Sequence, residues 1–127
     1  MRRYAAVDIG SNSIRMLAAE ISLRGITMPL AAERQVVRLG EGVFRSGRIG
    51  REAMDAAAAT LARFGEIYRR HNVVAVRAVA TSAVRDAGNQ QEFLERASQA
   101  LGANVEIISG QEEARLIHLG VQARWPQ

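Results

Sequence analysis

Apolar and polar positions along this chain follow two periods, one near two residues and one near 3.6, and the switches between them mark its elements. Tyr4 to Ile9 is a short apolar run closed by Gly10-Ser11-Asn12-Ser13, which predicts a buried strand and a tight turn. Ile14 to Ile21 is strand-like again, and Leu23-Arg24-Gly25 predicts the next turn. Ile26 to Leu39 reads as a third strand in which Pro29 belongs at an edge or a bulge, because it has no N–H to give to a ladder. The glycine- and arginine-rich stretch from Gly40 to Gly50 reads as a loop. From Arg51 to Asn72, Met54, Ala57, Leu61, Phe64 and Tyr68 recur at helical spacing while Arg51, Glu52, Asp55, Arg63, Glu66 and Arg69 fall on other faces, which predicts an amphipathic helix.

Val73 to Val79 is β-branched and apolar, a buried strand, and a polar segment from Thr81 to Gly88 follows it. Asn89 with Glu92 has capping-box spacing and opens a helix to about Leu101, with Gly102 as its stop. Val105 to Ile108 is a fifth strand. Ser109 with Glu112 repeats the capping-box spacing ahead of a last helix, Gln111 to about Ala123. The order β-β-β-α-β-α-β-α, a three-stranded meander followed by α/β crossovers, predicts an α/β domain: a mixed sheet with flanking helices in the ribonuclease-H-like layout. No repeat, low-complexity tract or Pro/Gly/Ser linker divides it, so a single domain is expected.

Composition narrows the chemistry. The chain has 127 residues and no cysteine, which excludes a disulfide framework, a cysteine nucleophile and any Cys-based metal site. Its two histidines, His71 and His118, are far apart in sequence, which argues against a His-rich metal site. All 17 basic residues are arginine, so there is no lysine for a P-loop or a Schiff base. The formal charge of +4 suits phosphate-rich partners, since guanidinium forks bind phosphate oxygens in pairs, but a GC-rich coding bias would give the same arginines. No apolar stretch approaches a membrane span and the start does not resemble a signal peptide, so a cytoplasmic protein without membrane contact is expected.

Three segments could carry chemistry, and all three lie where a predicted strand ends. Asp8 closes the first strand, where a carboxylate can hold a metal or its water shell, and Gly10-Ser11-Asn12-Ser13 can offer backbone and hydroxyl donors to an anion. The same residues make an ordinary hairpin turn. Thr81, Ser82 and Arg85 follow the fourth strand, a position that suits an oxyanion, unless Arg85 is solvated or paired with Asp86. Glu113 sits in the first turn of the last helix, where the dipole favours its ionised form. Glu112 is explained by the capping box, and Arg115 and His118 read as pairing or surface residues. Gathered on one rim, these parts match metal-assisted phosphoanhydride hydrolysis.

Four motifs in order, Ala6-Val7-Asp8-Ile9-Gly10-Ser11-Asn12-Ser13, Arg38-Leu39-Gly40-Glu41-Gly42, Ala80-Thr81-Ser82-Ala83-Val84-Arg85 and Ile108-Ser109-Gly110-Gln111-Glu112-Glu113-Ala114-Arg115-Leu116-Ile117, resemble the first lobe of the exopolyphosphatase / guanosine pentaphosphatase family. That family is part of the actin–Hsp70–sugar kinase superfamily, so the resemblance implies an actin-like ATPase domain. It also implies Mg²⁺ and release of terminal phosphate from inorganic polyphosphate or from a guanosine pentaphosphate. By the same resemblance Asp8 would meet the metal through water, and Gly10, Ser11, Asn12 and Ser13 would hold phosphate. Arg85 would lie on the scissile phosphoryl group with Thr81 and Ser82 beneath it, and Glu113 would activate the attacking water.

The sequence departs from the family in one respect. The second phosphate motif, an Asp before a glycine-rich turn and a Glu, should follow the last helix, and the sequence ends at Trp125-Pro126-Gln127. The expectation is therefore residues 1–127 as a single N-terminal lobe without its second lobe, nearly inactive alone, with a homodimer open to the full-length protein. Three other functions compete: a guanosine pentaphosphate 5′-phosphohydrolase, a non-catalytic polyphosphate or guanosine tetraphosphate sensor, and an actin-like ATPase or sugar-kinase lobe. Nucleic-acid binding is not expected, because an aromatic content of 5% gives little to stack bases on.

Overall fold

A computed structural model describes residues 2–25 and 27–112. Its sheet has five strands: β1 (Arg2–Ile9), β2 (Ser13–Ile21), β3 (Thr27–Val36), β4 (Ala75–Ala80) and β5 (Val105–Ile107), in the spatial order β3-β2-β1-β4-β5. β1, β2 and β3 form the antiparallel meander, while β1, β4 and β5 run parallel. Among the described residues the helices are α1 (Leu39–Ser46), α2 (Arg51–Arg70), α3 (Ser82–Asp86) and α4 (Gln90–Leu101). The predicted α/β, ribonuclease-H-like arrangement is present through β5. The last helix, expected from Gln111 to Ala123, is helical over residues 110–112 and otherwise lies outside the described residues.

Strand alternation sets the core. Ala5, Val7 and Ile9 of β1, Ile14, Met16 and Ala18 of β2, Ala78 and Ala80 of β4 and Val105 of β5 are buried and join one cluster with the helices. α2 supplies Met54, Ala57, Leu61, Phe64 and Tyr68 on the face its periodicity predicts, and α4 supplies Phe93, Ala97 and Leu101. A fully buried Leu or Phe is worth about 1.5–3 kcal/mol relative to exposure. The solvent-facing Arg96–Asp55 ion pair between the same helices is worth about 0–1 kcal/mol. Apolar contact therefore joins α2 to α4, and the ion pair is a minor addition.

Pro29 behaves as its chemistry requires. β3 is an edge strand, and its register with β2 slips between Ala18 and Ala19, which pair with Ala31 and Pro29 and leave Leu30 as the extra residue of a bulge.

Three sequence expectations are corrected. The Gly40 to Gly50 stretch is not a loop throughout, since its first part lies in helix α1, which buries Leu39. The two glycines within α1, Gly40 and Gly42, serve close approach: a Cβ on Gly42 would stand 2.8 Å from the Arg48 carbonyl oxygen and 2.9 Å from the Gly50 nitrogen. The Thr81 to Gly88 segment is likewise helical over α3, with Ala83 and Val84 buried. At α4 the predicted N-cap position is right but its chemistry is different, because the Asn89 side chain makes no cap bond. Its amide instead clamps Ile49, accepting from the Ile49 N–H at 2.8 Å and donating to the Ile49 carbonyl at 3.0 Å.

Candidate functional site at the strand ends

Because β1, β4 and β5 are parallel and adjacent, the segments that follow Ile9, Ala80 and Ile107 all leave from one end of the sheet. This is the end where ligands of open α/β sheets bind. Backbone bonds join the three exits: the Thr81 N–H donates to the Ile9 carbonyl at 3.1 Å, and the Ile108 N–H to the Ala80 carbonyl at 3.1 Å. The three segments singled out in the sequence thus occupy one rim as far as Glu112.

Side chains tie the rim further. The hydroxyls of Ser11 and Ser82 lie 2.9 Å apart, linking the β1–β2 turn to the start of α3. The turn itself is closed by the Gly10 N–H donating to the Ser13 carbonyl at 3.0 Å. Thr81 is buried, and its hydroxyl donates to the Ile9 carbonyl at 3.4 Å. Arg85 is half-buried, and its Nη1 donates to the Ile108 carbonyl at 2.7 Å, which draws α3 onto the chain leaving β5. Ser109 Oγ accepts from the Glu112 N–H at 3.1 Å, as the predicted cap requires.

Asp8 is exposed near the end of β1 and pairs in register with Arg15 of β2 and Val79 of β4. By alternation it sits on the sheet face opposite Val7 and Ile9, and so opposite α2 and α4. Asn12 is exposed at the tip of the turn, and Ser13 is buried with Arg34 Nε donating to its hydroxyl at 3.3 Å. Glu113, the expected activator of water, lies outside the described residues, as do Arg115 and His118.

Among the described residues no three acidic or histidine side chains gather as a metal cage. The exposed Asp8 carboxylate, on the same rim as the Ser11 and Ser82 hydroxyls, fits a Mg²⁺ ion that keeps most of its waters and arrives with phosphate.

The structure adds contacts that sequence reasoning passed over. Val37 and Arg38 both donate their N–H groups to the Asn12 carbonyl, at 3.0 and 2.9 Å, and Gly40 donates to the Ser11 carbonyl at 2.9 Å. Gln90 Nε2 donates to the carbonyls of Arg85 at 2.8 Å and Val84 at 3.3 Å, closing the end of α3. The four-residue spacing of these helices gave no signal for either contact. The Arg38-to-Gly42 motif was visible in sequence, but its docking on the turn was not.

Comparison with known proteins bears on the family and the fold. A model of the Ppx/GppA phosphatase family matches residues 17–127. The crystal structure of an Aquifex aeolicus member of the Ppx/GppA protein family is 32% identical, covering 99% of this chain and 41% of that one, with a TM-score of 0.89. An exopolyphosphatase from Cytophaga hutchinsonii is 39% identical, covering 95% of this chain and 38% of that one, also at 0.89. This chain thus spans about two-fifths of the length of these relatives. RuvC of Thermus thermophilus, at 12% identity over 89% of this chain and 69% of its own, with a TM-score of 0.52, shares the fold alone. Among the described residues no helix is long and apolar enough to cross a membrane.

Proposed function

The chain belongs to the Ppx/GppA phosphatase family, and from that premise we propose that it is the first lobe of a phosphoanhydride hydrolase that releases terminal orthophosphate from inorganic polyphosphate. The observation that carries this reading is the convergence of the Gly10–Ser13 turn, the Thr81–Arg85 segment and the chain after Ile107 on one rim, with Ser11 against Ser82 and Arg85 against Ile108. The 39% identity to a protein described as an exopolyphosphatase favours polyphosphate as substrate.

Each residue has a role set by its chemistry. The turn from Gly10 to Ser13, with Thr81 and Ser82 beside it, supplies uncharged donors that hold the terminal phosphate without competing for its charge. Arg85, anchored through one of its N–H donors, presents a planar cation to the phosphoryl oxygens, where charge must be neutralised in a loose transition state. Glu113 accepts the proton of the attacking water and aligns it. Asp8 would hold the water shell of a Mg²⁺ ion, which would supply neutralisation of the phosphate charge. The bond from phosphorus to the bridging oxygen breaks, water oxygen takes its place, and the shortened polyphosphate leaves.

Phosphate release from long-chain polyphosphate tests the proposal. Turnover is expected from a two-lobed protein carrying this chain as its first lobe, and little from the 127-residue chain alone. Glu113→Gln in the two-lobed protein should lose turnover and keep binding. Retained turnover in that variant would sink the reading.

A further inference from the structure

The strongest feature that the catalytic reading leaves unexplained is the junction between β3 and α1. Within four residues, Val37, Arg38 and Gly40 direct three N–H groups onto two carbonyls of the β1–β2 turn, those of Asn12 and Ser11. Arg38 takes up φ 61° and ψ 49° to do so, a left-handed conformation that costs energy in any residue with a Cβ. A strained residue persists where its surroundings over-determine it, and such residues gather at functional sites. Gly40 approaches so closely that a Cβ there would lie 3.2 Å from Ser11 Cβ and 3.3 Å from the Ser11 carbonyl oxygen.

We propose that the Val37–Gly40 junction is the positioning element of the turn, acting through its backbone. Each peptide group is planar with C=O and N–H pointing in opposite directions. Once the Ser11 and Asn12 carbonyls are tied to the junction, the N–H groups of Asn12 and Ser13, on the other side of the same two peptides, point away from it. The junction therefore fixes the orientation of the turn's donors before any ligand arrives. This inference rests on the reading that the turn binds phosphate, and it assigns to the Arg38-to-Gly42 motif a task that the catalytic roles do not cover.

The test uses the 127-residue chain with tripolyphosphate and Mg²⁺, reading affinity by calorimetry and folding by thermal melting. Gly40→Ala adds a methyl that must push Ser11 by a few tenths of an ångström, while alanine suits a helix better than glycine. We expect affinity to fall by about fivefold to tenfold with the melting temperature equal to or above that of the wild type, because site geometry tolerates only about half an ångström. Gly50→Ala, whose Cβ would meet nothing within 4 Å, should leave the affinity unchanged. Arg38→Gly relieves the left-handed strain and keeps every backbone donor of the junction, so its affinity should match the wild type.

Unchanged affinity in Gly40→Ala would overturn the proposal. So would a fall in melting temperature that accompanies the loss, or failure of that variant to fold, since either makes Gly40 a packing residue. Lost affinity in Arg38→Gly would transfer the role to the side chain and overturn the backbone claim. If wild type itself binds no tripolyphosphate, the phosphate reading of the turn fails first, and the two failures are told apart by that control.

Discussion

Ser11 and Ser82, 71 positions apart in sequence, bring their hydroxyl oxygens to 2.9 Å and join the turn after β1 to the helix after β4. A hydroxyl pair of this kind contributes about 0.5–1.5 kcal/mol, and either partner's removal strands the other. Ser11→Ala and Ser82→Ala should each lower stability by roughly that amount in urea unfolding. The double variant should cost less than the sum of the two, because the second substitution removes a group already without its partner. Full additivity would show that the contact carries no energy.

Asn89 is the second long-range tie. Its amide accepts from and donates to the backbone of Ile49, a residue 3% exposed. Asn89→Ala leaves a buried N–H and a carbonyl without these partners, so we expect a loss of about 1–3 kcal/mol. Asn89→Asp is the sharper variant. Aspartate is as good an N-cap residue as asparagine, so a capping role predicts no loss. The bidentate clamp predicts destabilisation, because a carboxylate oxygen would face the Ile49 carbonyl where an N–H now donates. Denaturant midpoints of the two variants decide between them.

The contrast between Asn89 and Pro29 shows what the sequence could disclose. Pro29 lacks an N–H wherever it stands, so an edge or a bulge followed from the residue alone, and both are found. The apolar faces of α2 and of the meander followed from periodicity, a local property. Asn89 carries a cap signal that is also local, yet its partner is 40 positions away and left no mark at the helical spacing. Glycines 40 and 42 misled for the same reason: glycine in sequence suggests a loop, and only the neighbouring backbone reveals that these two lie in a helix pressed against Ser11 and Arg48. Helix α3, five residues long, is too short to display a period. The candidate site was legible where strand ends determined it, at Asp8, Gly10–Ser13 and Thr81–Arg85. The junction that braces the turn was not.

Gly65 lies inside α2, where glycine costs about 1 kcal/mol against alanine. Propensity alone predicts that Gly65→Ala stabilises the chain. A Cβ there would stand 2.6 Å from the Leu101 carbonyl oxygen, at the end of α4, and 3.0 Å from Arg69 Nη1. The arginine can swing aside, but the carbonyl is backbone and also accepts the Tyr68 hydroxyl at 2.6 Å. Overpacking of this kind costs about 1–3 kcal/mol, which outweighs the propensity gain. We therefore expect net destabilisation by up to roughly 2 kcal/mol in denaturant unfolding, the difference of those two effects. A stabilised variant would mean that α2 and α4 can separate at little cost.

Arg85 allows stability and function to be separated at one residue. Its bond to the Ile108 carbonyl, 2.7 Å long and only part-buried, has a charged donor and is worth at most about 1.5–3 kcal/mol of folding stability. Its proposed contact with the reacting phosphoryl group is worth more, because charge that develops in the transition state is met by a fixed cation; losing one such donor costs about 10²–10³ in turnover. Arg85→Lys keeps the charge but loses the planar fork and its paired geometry. In the two-lobed protein, Arg85→Lys and Arg85→Ala should both lose about two orders of magnitude or more in polyphosphate turnover, with Arg85→Lys the milder. Both should melt within a few degrees of the wild type. If Arg85→Lys turned over polyphosphate at the wild-type rate, a diffuse positive charge would suffice and the fork would have no role in the chemistry. If instead Arg85→Ala lost activity only in step with its folded fraction, the arginine would be a tie between α3 and the chain beyond β5 and nothing more.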